Sequence, residues 1–148
     1  MDNNLSGKFK EKTHCLPVRV YYSDTDASGI VYHSRYIDMA EHGRSEMLRH
    51  MGGHQGQAMK EDKIAFVIRS LSINYNQPAV LDDLLRVESQ VIRCETFTIQ
   101  FIQRIMRGDD CLAELKVKAG SVSLQTGRPS PMLKAWKASI EEFLPTKE

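Results

Sequence analysis

Three observations predict an α+β fold: a five-stranded antiparallel sheet, one long helix available to cover it, and a short C-terminal helix. Four strand-like runs follow one another between Ile64 and Leu124, separated by short polar turns. One stretch, Arg35 to Met51, repeats apolar residues at spacings of three and four. Strands grouped together, instead of alternating with helices, favour α+β over a parallel α/β sheet.

The elements follow in order. Residues 1–14 are polar and charged and read as a flexible tail, leaving 15–148 as one domain without internal repeat or linker. Leu16 to Tyr22 is a short strand, with Pro17 at its start where a missing N–H is tolerated. A turn, Asp24 to Gly29, leads to the helix, for which Ser34 is the expected N-cap and Gly52-Gly53 the stop. Tyr36, Ala40, Gly43, Met47 and Met51 form its apolar stripe, and the small Ala40 and Gly43 imply close packing on a flat surface. His54 to Met59 adds a further turn. Ile64 to Tyr75 is a long strand whose alternation changes phase between Ile68 and Leu71, which predicts a bulge. Asn76-Gln77-Pro78 breaks it. Leu84 to Arg93 points Leu85, Val87, Ser89 and Val91 one way, and Phe97 to Met106 does the same with Phe97, Ile99, Phe101 and Ile105. Leu112 to Leu124 carries Leu115, Val117 and Ala119, then a second phase change to Val122 and Leu124. Leu133 to Leu144 closes the chain as an amphipathic helix.

Composition excludes several function classes. At 148 residues and 41% apolar content the chain can bury a real core. A net charge of +1 offers no basic surface for nucleic acid. No run approaches the ~20 apolar residues of a membrane span. The polar N-terminus lacks a signal-peptide core, so a cytoplasmic protein is expected. Cys15, Cys94 and Cys111 share no metal-ligand spacing and read as reduced, largely buried thiols.

Chemistry concentrates in Tyr22 to His33, where two carboxylates and a histidine flank the small turn Ala27-Ser28-Gly29. Gly29 permits backbone angles that bring a carboxylate beside a helix start. Free N–H groups at that end favour negative charge, so a base there suits acyl transfer. By spacing alone Asp26 is an ordinary turn residue, as Asp before Gly commonly is. Asp24 is read as structural, bonded to turn amides or to an arginine. His33 either contacts the reacting group or simply enters the helix. Asp24 to Gly29 also mimics the start of a calcium loop, but the required glutamate at its twelfth position is Arg35, so no metal is expected. His50 and His54 read as solvated surface.

These residues resemble the hotdog-fold acyl-CoA thioesterases of the 4-hydroxybenzoyl-CoA thioesterase family. The matching pattern is Arg19-Val20, four residues, Thr25-Asp26, two residues, Gly29-Ile30-Val31, one residue, His33, two residues, Tyr36. The likeness continues through Glu46-Met47-Leu48-Arg49, Ala65 to Arg69, Pro78-Ala79, Leu81-Asp82-Asp83 and the final helix, and is most similar to the YbgC branch associated with the Tol-Pal envelope system. The resemblance implies a hotdog fold, with the five-stranded antiparallel sheet wrapped around the one long helix, and homodimers or homotetramers with interface active sites. It assigns Asp26 as general base or as nucleophile through a mixed anhydride, with His33 beside it and the helix-end amides near His33 and Ser34 as oxyanion donors. Gly29, Tyr32, Ser34, Phe66 and Val67 are the expected substrate contacts. Coenzyme A is then part of the acyl-CoA substrate, not a cofactor, and acyl carrier protein is a possible alternative carrier. Arg69, Arg104, Lys116, Lys118 and Arg128 are candidates for its phosphates by residue type alone. Two other classes stand beside this one: a non-catalytic module binding CoA or acyl carrier protein, and a hotdog hydratase, whose Asp-to-His spacing differs.

Overall fold

The computed structural model describes residues 4–145. Its strands are β1 (Lys8–Lys10), β2 (Thr13–Arg19), β3 (Ile64–Tyr75), β4 (Leu84–Cys94), β5 (Thr98–Arg107) and β6 (Asp110–Ser123). They form one antiparallel sheet in the order β1-β2-β4-β5-β6-β3. The helices are α1 (His33–His50), α2 (Gln55–Glu61) and α3 (Lys134–Glu141). Helix α1 packs against β2, β4 and β5, giving the hotdog arrangement of a long helix held by a single sheet.

The inward alternation is as the sequence predicts, except at Phe97, which lies before β5 and is exposed. Leu85, Val87, Ser89 and Val91 of β4 and Ile99, Phe101, Gln103 and Ile105 of β5 are buried beneath α1. The β3 bulge is also present, with the register against β6 shifting between Ile68 and Ser70. It lets both halves of β3 present apolar side chains to the same face, since Phe66 and Ile68 pair with Ser121 and Ala119, and Leu71 and Ile73 with Val117 and Leu115. The second phase change is not there. Strand β6 keeps one phase from Ala113 to Ser121, all inward, while Leu124 is exposed beyond the strand end.

Three other expectations are corrected. The sheet has six strands rather than five, because residues read as tail supply β1. Lys8, Phe9 and Lys10 pair with Cys15, His14 and Thr13 across a tight turn in which Glu11 takes a positive φ of 56°. A three-residue strand is too short to display alternation. Residues 1–3 of that tail, like residues 146–148 of the domain, lie outside the described residues. Helix α1 starts at His33, not after Ser34. Tyr32 is its N-cap, fixed by donation of its N–H to the Asp24 carbonyl at 2.9 Å. His50, finally, is not simply a solvated side chain. Its Nδ1 lies 3.0 Å from Nε2 of the fully buried His14, and both rings meet Phe9 edge-on. Phe9 in turn stacks on Phe143 at 4.3 Å, so this cluster ties the N-terminal hairpin to the end of α1 and to the C-terminal segment.

The cluster makes stability pH-dependent. Burial pulls the His14 pKa below its ordinary 6.5; the Ser6 carbonyl opposes this, the nearby His50 adds to it, and Glu46 opposes it. The unfolded chain therefore takes up a proton that folded His14 refuses, and stability falls as pH drops through and below 6.5. The melting temperature is expected to decline between pH 7.5 and 5.5, and His14→Gln to flatten that slope. An equally steep profile in the variant excludes His14 as its source.

Gly43 is where α1 presses hardest on the sheet. A Cβ there would sit 2.6 Å from Val87 Cγ1 and 3.1 Å from Ser89 Oγ. Gly43→Val is expected to destabilise the protein by about 3 kcal/mol through overpacking, read as a shifted denaturation midpoint. A buried polar chain lies alongside. Gln103 Nε2 donates to the Ala40 carbonyl at 2.8 Å and to Ser89 Oγ at 2.9 Å, and Arg44 Nη1 donates to Gln103 Oε1 at 3.0 Å.

Candidate active site

A groove of about 450 Å³ opens beside the N-terminus of α1, lined on one side by Asp26, Ile30, Tyr32 and His33 and on the other by Tyr75, Asn76, Gln77 and Pro78. The loop before α1 builds the first wall. A 3-10 turn, Tyr22–Asp24, ends at Thr25, whose hydroxyl donates to the Tyr22 carbonyl at 2.7 Å. The next turn is closed by main-chain bonds: Asp26 N–H donates to the Ile30 carbonyl at 2.9 Å, and Gly29 N–H donates to the Asp26 carbonyl at 3.0 Å. Gly29 stands at φ 82°, a conformation that costs a side-chain-bearing residue energy. Val31 N–H then donates to the Ala79 carbonyl at 2.9 Å, anchoring the loop to the segment after β3.

Asp24 has the structural role expected of it. It is buried, accepts from the Tyr21 N–H at 2.9 Å, and receives Arg35 Nε and Nη2 on one oxygen at 3.1 and 2.9 Å. Arg35, the residue at the position a calcium loop needs for glutamate, thus supplies the charge that balances Asp24.

Asp26 is different. Its side chain is exposed to the groove, and Ser28 donates both N–H (2.8 Å) and Oγ (2.5 Å) to its Oδ1. Those Ser28 bonds, side chain first, hold its pKa below the ordinary carboxylate value. Asp26 is therefore an anion at neutral pH. His33 occupies the first position of α1, with its ring 4.4 Å from that of Tyr32. Among the described residues, the first-turn N–H groups of His33 and Ser34 have no protein acceptor. The opposite wall is tied to this helix end, as Tyr75 Oη donates to the His33 carbonyl at 2.9 Å. Tyr36 is buried and accepts from the Ala79 N–H at 2.9 Å, so it packs and positions.

The structure thus brings Asp26, Tyr32 and His33 together in one groove, with Gly29 and Ser34 shaping its loop and helix end. It separates Phe66 and Val67. Phe66 faces α1, whereas Val67 pairs with Gly120 and points to the outer face, so the two cannot share a pocket within one protomer. Sequence reasoning missed Tyr75, Asn76, Gln77 and Pro78. Their one signal was a strand-breaking Asn-Gln-Pro after a long strand. None of the five basic candidates lines the groove, and Arg104 is paired with Glu114 at 3.0 Å. Burial raises all three thiol pKa values, that of Cys94 to about 11, so no cysteine is poised as a thiolate nucleophile. No helix among the described residues is long and apolar enough to cross a membrane.

Known proteins are similar to this chain in sequence and in fold. The acyl-CoA thioesterase YbgC of Haemophilus influenzae is 44% identical over 128 residues, covering 86% of this chain and 94% of that protein. The acyl-CoA thioester hydrolase YbgC of Escherichia coli O6:H1 is 43% identical over 96 residues, covering 65% and 71%. The crystal structure of a probable thioesterase from Bartonella henselae matches with a TM-score of 0.77 at 35% identity, over 82% of this chain and 99% of that one. A 1,4-dihydroxy-2-naphthoyl-CoA thioesterase from Synechocystis, 20% identical, shares the fold with a TM-score of 0.80 over 86% and 95% of the two chains. The family model of the Thioesterase-like superfamily matches residues 20–140, and the chain belongs to that superfamily.

Proposed function

We propose that this protein is an acyl-CoA thioester hydrolase with Asp26 as its reacting carboxylate. The observation that carries the proposal is an ionised, exposed carboxylate in the same groove as the uncapped N-terminus of α1. Similarity to the YbgC acyl-CoA thioesterases supports it. Asp26 either draws a proton from attacking water or attacks the thioester carbonyl itself and is then released by water. Both routes pass through a tetrahedral oxyanion. The N–H groups of His33 and Ser34, aided by the helix dipole, are its donors. Collapse breaks the C–S bond and expels coenzyme A as thiolate, a good leaving group that needs no strong acid. The net reaction adds water across the thioester, giving carboxylic acid and free thiol. His33 and Tyr32 flank the thioester, Gly29 leaves room for it, and no metal or cofactor takes part.

The acting unit in this proposal is a homodimer, or a tetramer of two such dimers. Strand β3 is a twelve-residue sheet edge with Val67 and Ile68 exposed, and such an edge ordinarily needs covering. Pairing with β3 of a second copy covers it. A cytoplasmic location accords with three unpaired thiols, and a Tol-Pal association with the likeness to YbgC proteins.

Release of free thiol from a panel of short, long and aromatic acyl-CoAs tests the activity. Turnover of one chain-length class is expected. Calorimetric binding of CoA with no thiol release from any acyl-CoA or acyl carrier protein would favour a binding module instead.

A further inference from the structure

We propose that Arg44 is an acyl-specificity residue, which offers a buried hydrogen-bond donor to the far end of the acyl group and selects acyl groups carrying a neutral acceptor oxygen, such as a keto oxygen, several carbons from the thioester. This rests on the thioester-hydrolase reading and on pairing through β3.

Arg44 lies in the middle of α1 and is only 6% exposed. A guanidinium has five N–H donors, yet among the described residues the side chain makes one hydrogen bond, to the neutral Gln103. No carboxylate of the described residues lies within ion-pair distance of it. Burying a charge whose one hydrogen-bond partner is neutral is expensive, and Glu41, beyond ion-pair distance, offsets only part of that cost. The guanidinium lines a cavity of about 120 Å³ between α1 and the sheet, whose other walls include Phe66, Ile68, Phe101 and Ala119. Glu41, Ser45 and Gln55 line it too, so it is a mixed pocket with a few polar groups among apolar walls, the usual form of a specificity contact.

The fold places this cavity where an acyl group would arrive. Strand β3 begins at Ile64, near α2, and ends at Tyr75, which bonds to His33. Antiparallel pairing of β3 with its own copy about a two-fold axis inverts that direction. The Phe66–Ile68 end of one copy then lies beside the Tyr75 end of the other. One copy's groove, holding Asp26 and His33, opens next to the other copy's cavity, holding Phe66 and Arg44. Thioester and acyl tail would be bound by different copies.

The charge of the cavity selects the oxygen. Glu41 lines it as well, with Oε1 accepting from Ser45 Oγ at 2.7 Å. Arg44 and Glu41 together make the cavity neutral. A keto oxygen accepts from Arg44 at no electrostatic cost, whereas a terminal carboxylate meets Glu41.

The test compares kcat/KM for hexanoyl-CoA, 5-oxohexanoyl-CoA and glutaryl-CoA. The wild type is expected to prefer 5-oxohexanoyl over hexanoyl by about tenfold, as one hydrogen bond to a charged donor allows. Arg44→Met, similar in length but without donors, should bring that ratio close to one. Glu41→Gln, on the exposed side of the helix, keeps the fold and should raise glutaryl turnover relative to hexanoyl by about tenfold, since it leaves the cation unbalanced. Where Arg44→Met does not fold, the wild-type ratio and Glu41→Gln decide. A wild-type ratio of one or below, an unchanged ratio in Arg44→Met, or an unchanged glutaryl preference in Glu41→Gln overturns the assignment while hydrolysis of hexanoyl-CoA stands. Absence of turnover with all three substrates overturns the assignment, and the hydrolase reading falls with it only when the wider panel of short, long and aromatic acyl-CoAs also releases no thiol.

Discussion

Asp26→Asn is expected to lower kcat by about two to four orders of magnitude with the fold intact. Asparagine has the same shape, and its side-chain oxygen can still accept from Ser28 N–H and Oγ, the bonds that now hold Oδ1. The turn is otherwise closed by main-chain bonds that the substitution leaves alone, from Asp26 N–H to the Ile30 carbonyl and from Gly29 N–H to the Asp26 carbonyl. The side chain is exposed, so no packing is lost. An amide, however, neither takes a proton from water at neutral pH nor attacks a thioester. The check is thiol release at saturating acyl-CoA, run beside a thermal melt of both proteins. Near-normal turnover would remove Asp26 from the chemistry and leave hydrolysis to another group of the groove. After a single turnover in water enriched in heavy oxygen, label in the Asp26 carboxylate identifies the nucleophilic route in the wild type, since it arises only when water opens a mixed anhydride at the Asp26 carbonyl.

Phe101→Ala has the largest expected cost in stability, about 4 kcal/mol. Phe101 is 1% exposed and heads the fully buried side chains by volume. It sits in the middle of β5, opposite Val91 of β4 and Val117 of β6, under the helix and on the floor of the Arg44 cavity. Strands on both sides prevent collapse around a deletion, so the void persists. A melting temperature lowered by roughly 15 °C is expected for a domain of this size. A cost below about 1 kcal/mol would mean that the sheet relaxes freely there, contrary to close packing between α1 and the strands.

The hotdog architecture was readable because its parts are periodic. Tyr36, Ala40, Gly43, Met47 and Met51 declare one face of a helix, and all five are buried. The alternating residues of β4 and β5 declare one face of a sheet. Even the β3 bulge was legible, as two halves of one strand in opposite phase. What escaped was short or non-local. β1 has too few residues to show a pattern. His14 and His50 lie far apart in sequence and meet only because the hairpin folds against the end of α1.

For the site the division is the same. The turn and helix start that hold Asp26, Gly29, Tyr32 and His33 lie within one short stretch, so the sequence by itself determined their proximity, while Arg35 pairs with Asp24 and leaves Asp26 facing the groove. The facing wall of Tyr75 to Pro78, the separation of Phe66 from Val67, and the burial of Arg44 were decided by the tertiary structure alone. Local backbone geometry sets contacts between near neighbours. Which strand stands opposite a helix end, and which charge ends up beneath a helix, depends on sheet order and register, and these arise from packing the whole chain at once.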